Sequence, residues 1–517
     1  MNGASKWGNL ANFDWSVMTP EFTILGVATL LSLLDLVFSK KTDRRILAWI
    51  GLLGIIVAGY FVVRNTGKDV VSIMNDMYRL DSFANGFKLI FLSGVALVFL
   101  ISINYVDEQK NILYSGEYYY LILTALLGAM IMASSADLIT LFVGLELLSI
   151  SSYILVGTRK NHIQSNESSF KYVVSGGIAT AITLYGMSFI YGLTGSTNLY
   201  VIAERLTAAY QSGFSYLVLL AFFLVLVGLA FKISAVPYHM WAPDVYQGAP
   251  TPITAFLSVV SKAAGFAIIL RIFLVAFGGL FEMGAANQPV SVLLDKLSLY
   301  IGIVAAASMI IGNTMALRQV NIKRMMAYSG IAQAGYLLVP FATFTLLMYE
   351  QTIFYFVAYL LANMGIFAII MIVNRDQNTE DVKSFAGLYH RAPWIALAMT
   401  FFVLSLAGIP VTAGFFGKFY IFISSVAHHN YWLAGIMMAT SVVSYYYYFG
   451  VIRQMYMRPG KTEARLKVPV SIAVVVLIAV VGTIAAGIMP DLVMNYIHSH
   501  FPFQQMLQPG PQQAAPQ

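Results

Sequence analysis

Cysteine is absent from all 517 residues, which excludes disulfides, thiolate-held iron–sulfur clusters and cysteine-ligated metals on this chain. Charge is scarce too. Charged residues make up 10% and hydrophobic ones 59%, where a soluble globular domain carries roughly 25% charged. Water is therefore not the solvent for most of this surface. No flavin, nucleotide or iron–sulfur motif is present, so no cofactor is expected on the chain itself. Between Met1 and Glu21 there is no apolar core followed by a small-residue cleavage site, so the first span, rather than a cleavable signal peptide, is expected to direct insertion. The net charge of +7 would suggest nucleic acid for a soluble protein. In a membrane protein the informative quantity is where the basic residues sit, and no nucleic-acid partner is expected.

What the chain does have is repeated apolar runs of about 17 to 25 residues, matched to a hydrocarbon core of ~30 Å. They predict helices near 22–38, 46–63, 88–104, 118–134, 138–156, 169–194, 214–238, 251–277, 297–317, 325–345, 351–373, 394–426, 431–452 and 469–489. The expected fold is an all-α polytopic membrane protein with about 14 transmembrane helices. Loops after odd-numbered spans hold eighteen of the thirty Lys and Arg, and the opposite side holds seven. The positive-inside rule then puts both termini on the outer, periplasmic side. A bacterial cell membrane is the first expectation, with organellar and thylakoid membranes open. The tail, rich in Pro and Gln from Pro502, is expected to be disordered.

Five basic residues remain inside spans: Lys171, Lys232, Lys262, Arg271 and Lys418. A mid-bilayer charge costs about 2.5–3.5 kcal/mol on insertion scales. Lys262 and Glu146 lie far from either end of their spans and mark function. Lys171 lies close enough to a span end for its stem to reach water. Arg271, Asp35 and Asp137 sit near span ends and are read as interfacial anchors. His428 and His429 fall in an outer loop and are expected to be solvated.

Lys232 and Lys418 stand beside helix-breaking sequence. The seventh span reads Lys232-Ile233-Ser234-Ala235-Val236-Pro237-Tyr238-His239, and the long twelfth contains Gly408-Ile409-Pro410 before Lys418. Proline removes a backbone hydrogen bond, and exposed backbone at membrane depth survives only where protein or water lines it. Breaks five spans apart point to two inverted five-helix repeats, helices 4–8 and 9–13, with discontinuous helices 7 and 12. The expected units are 1–105 (three helices), 106–278 (first repeat), 279–455 (second repeat), 456–490 (helix 14) and 491–517 (disordered tail). Residues alone suggest a proton or ion translocator, with His239 as a further candidate relay.

The segment FKISAVPYHMWAPDVYQGAPTPITAF, Phe231 to Phe256, resembles the signature of the antiporter-like membrane subunits of respiratory complex I, and DVYQGAP (Asp244 to Pro250) is most similar to the smallest of the three. The resemblance extends through GLELLSISSYILVG, SSFKYVVSGG, NIKRMMAYSGIAQAGY and LAGIPVTAGFFGKFY. It implies that Glu146 and Lys232 form a charge pair accompanied by Lys171, that Lys262 is a central relay and that Lys418 is the terminal one. A glutamate is typical at the last position in one sister subunit, and this chain has lysine. The resemblance also implies partners: other membrane subunits and a peripheral redox arm, which carry the quinone site, flavin and iron–sulfur clusters. Burial disfavours a charged lysine and a nearby carboxylate favours it, so opening the Glu146–Lys232 pair would drive a proton toward Lys262. A stand-alone Mrp-type cation/proton antiporter would use the same charges, and an inert scaffold is the non-transport alternative.

Overall fold

Lipid offers the peptide group no hydrogen-bond partner, so an apolar run in a bilayer closes its own bonds as a helix. The computed structural model describes residues 13–508 except 40–41, 109–114, 279–281, 284–288, 291, 345–346, 461–463 and 503. Lys6, Lys40, Lys41, Lys110 and Lys461, counted in the charge balance, lie outside the described residues, as does the tail from 509. The chain runs α1 (Thr19–Val37), α2 (Arg45–Asn65), a hairpin of β1 (Val71–Ile73) and β2 (Tyr78–Leu80), α3 (Ser82–Glu108), α4 (Ser115–Ser134), α5 (Leu138–Val156) and α6 (Ile163–Thr194). It continues through α7 (Leu199–Ala209), α8 (Ser215–Lys232), α9 (Trp241–Gly248), α10 (Thr251–Phe256) and α11 (Lys262–Arg271). A short hairpin of β3 (Glu282–Met283) and β4 (Pro289–Val290) leads to α12 (Val292–Ala316), α13 (Ile322–Thr343) and α14 (Met348–Gln377). Last come α15 (Pro393–Ala407), α16 (Ala413–Ala427), α17 (Tyr431–Met457), α18 (Val470–Ile488), α19 (Pro490–His500) and α20 (Gln504–Leu507).

Among the described residues, twelve helices are long and apolar enough to cross a membrane. The protein is an all-helical integral membrane protein. The span Thr251–Ala276 is 100% buried within the chain, whereas α1 and α6 mostly face outward at 28% and 33%. Lys262 therefore sits at the centre of the bundle. Helix ends are set by side chains that satisfy orphan backbone groups. Asp137 accepts from Ile139 N at 2.9 Å and Thr140 N at 3.2 Å to start α5, and Asn321 does the same for α13. Gly195 and Gly408 end α6 and α15 in left-handed conformation, at φ 63° and 84°, a geometry that suits glycine.

Several expectations are corrected. Asp137 is not an interfacial anchor: it is 1% exposed and works as a helix cap. Neither is Arg271, which is fully buried and holds Asp81 through two nitrogens at 2.5 and 3.1 Å, with Ala133 O at 2.6 Å. Asp35 does sit near the end of its helix, paired with Arg44 at 2.9 Å. Lys88, one of the seven basic residues counted on the opposite side, is buried in α3 in a triad with Glu21 (2.6 Å) and Tyr78 (2.9 Å). The described residues of 491–508 contradict the expected disorder. They carry α19 and α20, and Arg79 Nη2 donates to Gln505 O and Gln508 O at 2.6 and 2.5 Å. Arg79, Ser82 and Tyr200 give this polar stretch donors that composition does not reveal.

Candidate functional site

The seventh span ends as a helix at Lys232, and the backbone is irregular until α9 begins at Trp241. Ser234 takes φ 61°, and Val236 N is satisfied by Ser308 Oγ at 2.9 Å. Trp241 Nε1 donates back across the gap to Phe231 O at 3.0 Å. Protein groups thus line the broken backbone that Pro237 enforces, as membrane depth requires. Lys232 is 4% exposed, and its ammonium donates to Ser149 Oγ at 3.0 Å on α5.

Glu146 lies one turn before Ser149 on α5. Its Oε1 accepts from Thr180 Oγ1 on α6 at 2.8 Å. It is close enough to Lys232 to interact electrostatically, yet among the described residues the two form no direct ion pair. The implied charge pair is therefore present as neighbours, with Ser149 holding the lysine. Lys171 does not join them. Its side chain is 43% exposed and bridges Glu167 at 2.6 Å and Asp244 at 2.7 Å, while Asp244 also receives Arg324 at 2.5 Å. The aspartate of the DVYQGAP stretch is thus a hub tying α9 to α6 and α13. His239 is largely buried near the break, away from any carboxylate partner among the described residues.

The eighth span is α10, a π-helical segment Leu257–Ser261, then α11 starting at Lys262. Such wide turns commonly mark functional positions. Lys262 is 3% exposed and donates to Gly330 O on α13 at 2.6 Å. A Cβ on Gly330 would lie 2.8 Å from that ammonium, so glycine makes the approach possible. Gly265, one turn on, lets α11 pack against the Lys232 stem, where a Cβ would meet Lys232 Cγ at 3.2 Å.

The twelfth span breaks between α15 and α16, at Gly408 to Thr412, which contains Pro410. Lys418, 7% exposed, reaches back from α16 to Leu406 O at 2.8 Å and Ala407 O at 3.2 Å. These are the free carbonyls at the α15 C-terminus, where the helix dipole favours a cation. The ring of Tyr336 lies 4.6 Å beneath the ammonium.

Between Lys262 and Lys418 runs a polar link. Beside Gly330 on α13, Ser329 Oγ and Tyr448 OH are 2.5 Å apart. Gln333 Nε2 reaches Tyr448 OH at 3.4 Å and Leu406 O at 3.2 Å, and Tyr355 OH donates to Gln333 Oε1. Leu406 O thus accepts from both Gln333 and Lys418. Ser149, Gly330, Gln333 and Tyr448 were not singled out from sequence. Ser149 carried one signal, its i, i+3 spacing from Glu146, which puts both on one helix face. Among the described residues no group of three His, Asp or Glu side chains sits together as a metal site.

A family profile described as NADH:quinone oxidoreductase/Mrp antiporter, TM, matches residues 135–444. NADH-quinone oxidoreductase subunit N of Brevibacillus brevis is 57% identical over 98% of this chain and 99% of its own length. The protein of the same name from Bacillus anthracis is 47% identical over 95% and 96%. A chain of respiratory complex I from Thermus thermophilus with bound aureothin superposes with TM-score 0.75 at 31% identity, covering 92% of this chain and 98% of that one. A chain of the Mrp complex from Dietzia sp. DQ12-45-1b shares the fold at TM-score 0.79 and 19% identity, covering 96% and 100%.

Proposed function

The chain belongs to the NADH:quinone oxidoreductase/Mrp antiporter family, and from that premise we propose how it works as a proton-translocating membrane subunit of an NADH-quinone oxidoreductase. Its partners are the other membrane subunits and the peripheral arm of a complex I type assembly. Lys232, Lys262 and Lys418 pass a proton along the middle of the membrane, and Glu146 controls the first of them. One observation carries this reading. All three lysines are buried, and each donates to a neutral oxygen, Ser149 Oγ, Gly330 O and Leu406 O, with no carboxylate bound among the described residues. A buried ammonium without a counter-ion is costly to keep, so the proton is readily passed on. Glu146 stays within electrostatic reach of Lys232, so a small shift toward it favours the charged form and a shift away favours release. Ser234 Oγ and Tyr246 OH are buried near the path without a hydrogen-bond partner among the described residues, the kind of group that bridging water serves. The Ser329–Tyr448–Gln333 link continues the path to Lys418. His239 is a side candidate, and Lys171 acts by fixing Asp244 rather than by relaying. With no cysteine, the chain offers no thiolate for an iron–sulfur cluster, which agrees with redox groups held by partner subunits.

The fourteen-span count is the twelve apolar helices plus α13 and the broken α15–α16 pair. α13 is not among the twelve, and its apolar run after Lys323 and Arg324 is interrupted by Tyr328, Ser329, Gln333, Tyr336 and Pro340. Register supports the inverted repeats. Asp137 pairs with Asn198 in an isolated bridge, and Asn321 pairs with Asp381 in the same way. Asp137 and Asn321 are 184 positions apart, as are Gly128 and Gly312, which make matching backbone contacts to α5 and α13. That register sets Gly330 opposite Glu146 and Gln333 opposite Ser149. It supports units 106–278 and 279–455 after an N-terminal 1–105, with 456–490 following. The basic-residue asymmetry supports outward termini, and the bacterial relatives support a cell membrane.

A stand-alone Mrp-type antiporter is the weaker alternative, because that likeness is at 19% identity and concerns the fold. Replacing Lys232 with Ala in the assembled complex is expected to abolish or sharply reduce proton pumping. Undiminished pumping, in a complex verified to contain the altered chain, would sink the assignment.

A further inference from the structure

Between α12 and α17, at the end of the bundle where the basic loops gather, lies a cleft of about 680 Å³. We propose that it is a site for one anionic glycerophospholipid, with the phosphate at Lys383 and Arg453 and an acyl chain along α17. Gln319, Lys383 and Arg453 give it polar lining, and Tyr446 and Phe449 line it deeper along α17. Both cations are exposed, and neither has an ion-pair or hydrogen-bond partner among the described residues. The aromatic lining is also uncovered, with Tyr446 70% and Phe449 44% exposed. From Arg453 back to Tyr446 is seven residues of helix, about 10 Å, so the cleft is cationic at headgroup depth and aromatic below it. Tyrosine favours that interfacial level, and basic pockets between transmembrane helices on the cytoplasmic side suit anionic headgroups. A second cleft beside α6 and α7 lacks this feature: its Arg205 already donates to Thr194 O at 2.8 Å.

The test uses the whole complex extracted in mild detergent, with photoreactive phosphatidylglycerol and phosphatidylcholine carrying the same diazirine acyl chain. Phosphatidylglycerol should label segment 445–457, and unlabelled phosphatidylglycerol, but not phosphatidylcholine, should compete. Lys383→Gln with Arg453→Gln should weaken capture roughly 30-fold, as loss of two near-surface cations implies. Equal labelling by both lipids would mean an ordinary annular lipid and overturn the site. So would undiminished capture by the double variant. A neighbouring polypeptide, rather than lipid, cross-linked by p-benzoylphenylalanine at Tyr446 would overturn it as well.

Discussion

Asp81 stands just outside the third span, between two guanidinium groups. Arg271 grips it at 2.5 Å and Arg79 Nε at 3.0 Å, all fully buried. Burial alone would push its carboxyl up, but Arg271 and then Arg79 outweigh that and hold it below the usual carboxylate range. A depressed folded-state value means the stabilisation is complete above the unfolded value of about 3.9 and is lost as pH falls through the folded one. Asp81→Asn should therefore destabilise the chain by about 3–5 kcal/mol at neutral pH, because it leaves Arg271 buried without its charge partner. Thermal unfolding of the purified complex from pH 7 downward checks this, with the gap to wild type narrowing only below about pH 4. At this scale the sequence was uneven. Lys232, Lys262 and Lys418 were legible because a charge inside an apolar run is costly and conspicuous. Arg271 was misread because distance from a span end does not tell whether a partner waits there. Ser149 and Gln333 are ordinary polar residues until the fold sets a lysine or its acceptor beside them.

Helix α13 meets two demands at Gly330. Helix propensity favours alanine over glycine by up to about 1 kcal/mol, yet a Cβ there would crowd the Lys262 ammonium at 2.8 Å and Tyr359 OH at 3.2 Å. Gly330→Ala is expected to leave assembly and melting temperature near wild type while lowering the protons moved per NADH oxidised. Unchanged pumping would show that Lys262 does not depend on this carbonyl. The two broken helices were legible in advance, since Pro237 and Gly408-Ile-Pro410 sit in otherwise apolar spans and the observed gaps fall at those residues. The π-helical segment before Lys262 was not legible, because wide turns use the same apolar residues as regular ones. Helix α13 was found from its apolar run at 325–345, and the alternation of loop charge agreed with a crossing there.

Across the whole molecule, the C-terminal segment with α20 returns to cover the buried charges between the first hairpin and α11. Arg79 bonds Gln505 O and Gln508 O, Ser82 bonds Gln505 Oε1, and Tyr200 OH donates to Met506 O at 2.8 Å. Ending the chain after His500 removes these acceptors. It should lower the melting temperature of the complex while the protons moved per NADH in the surviving fraction stay near wild type. Composition could not foresee this docking, because Gln and Pro read as disorder until specific donors are placed opposite them. The central claim is larger: that a proton crosses the bundle by way of three buried lysines. Lys262 stands between the other two, and among the described residues the Gly330 carbonyl is its one hydrogen-bond acceptor. The direct measurement is proton uptake into proteoliposomes containing the Lys262→Ala complex, recorded together with NADH-driven quinone reduction. Proton translocation should be lost or sharply reduced. Wild-type proton flux, in a complex shown to contain the altered chain, would contradict it.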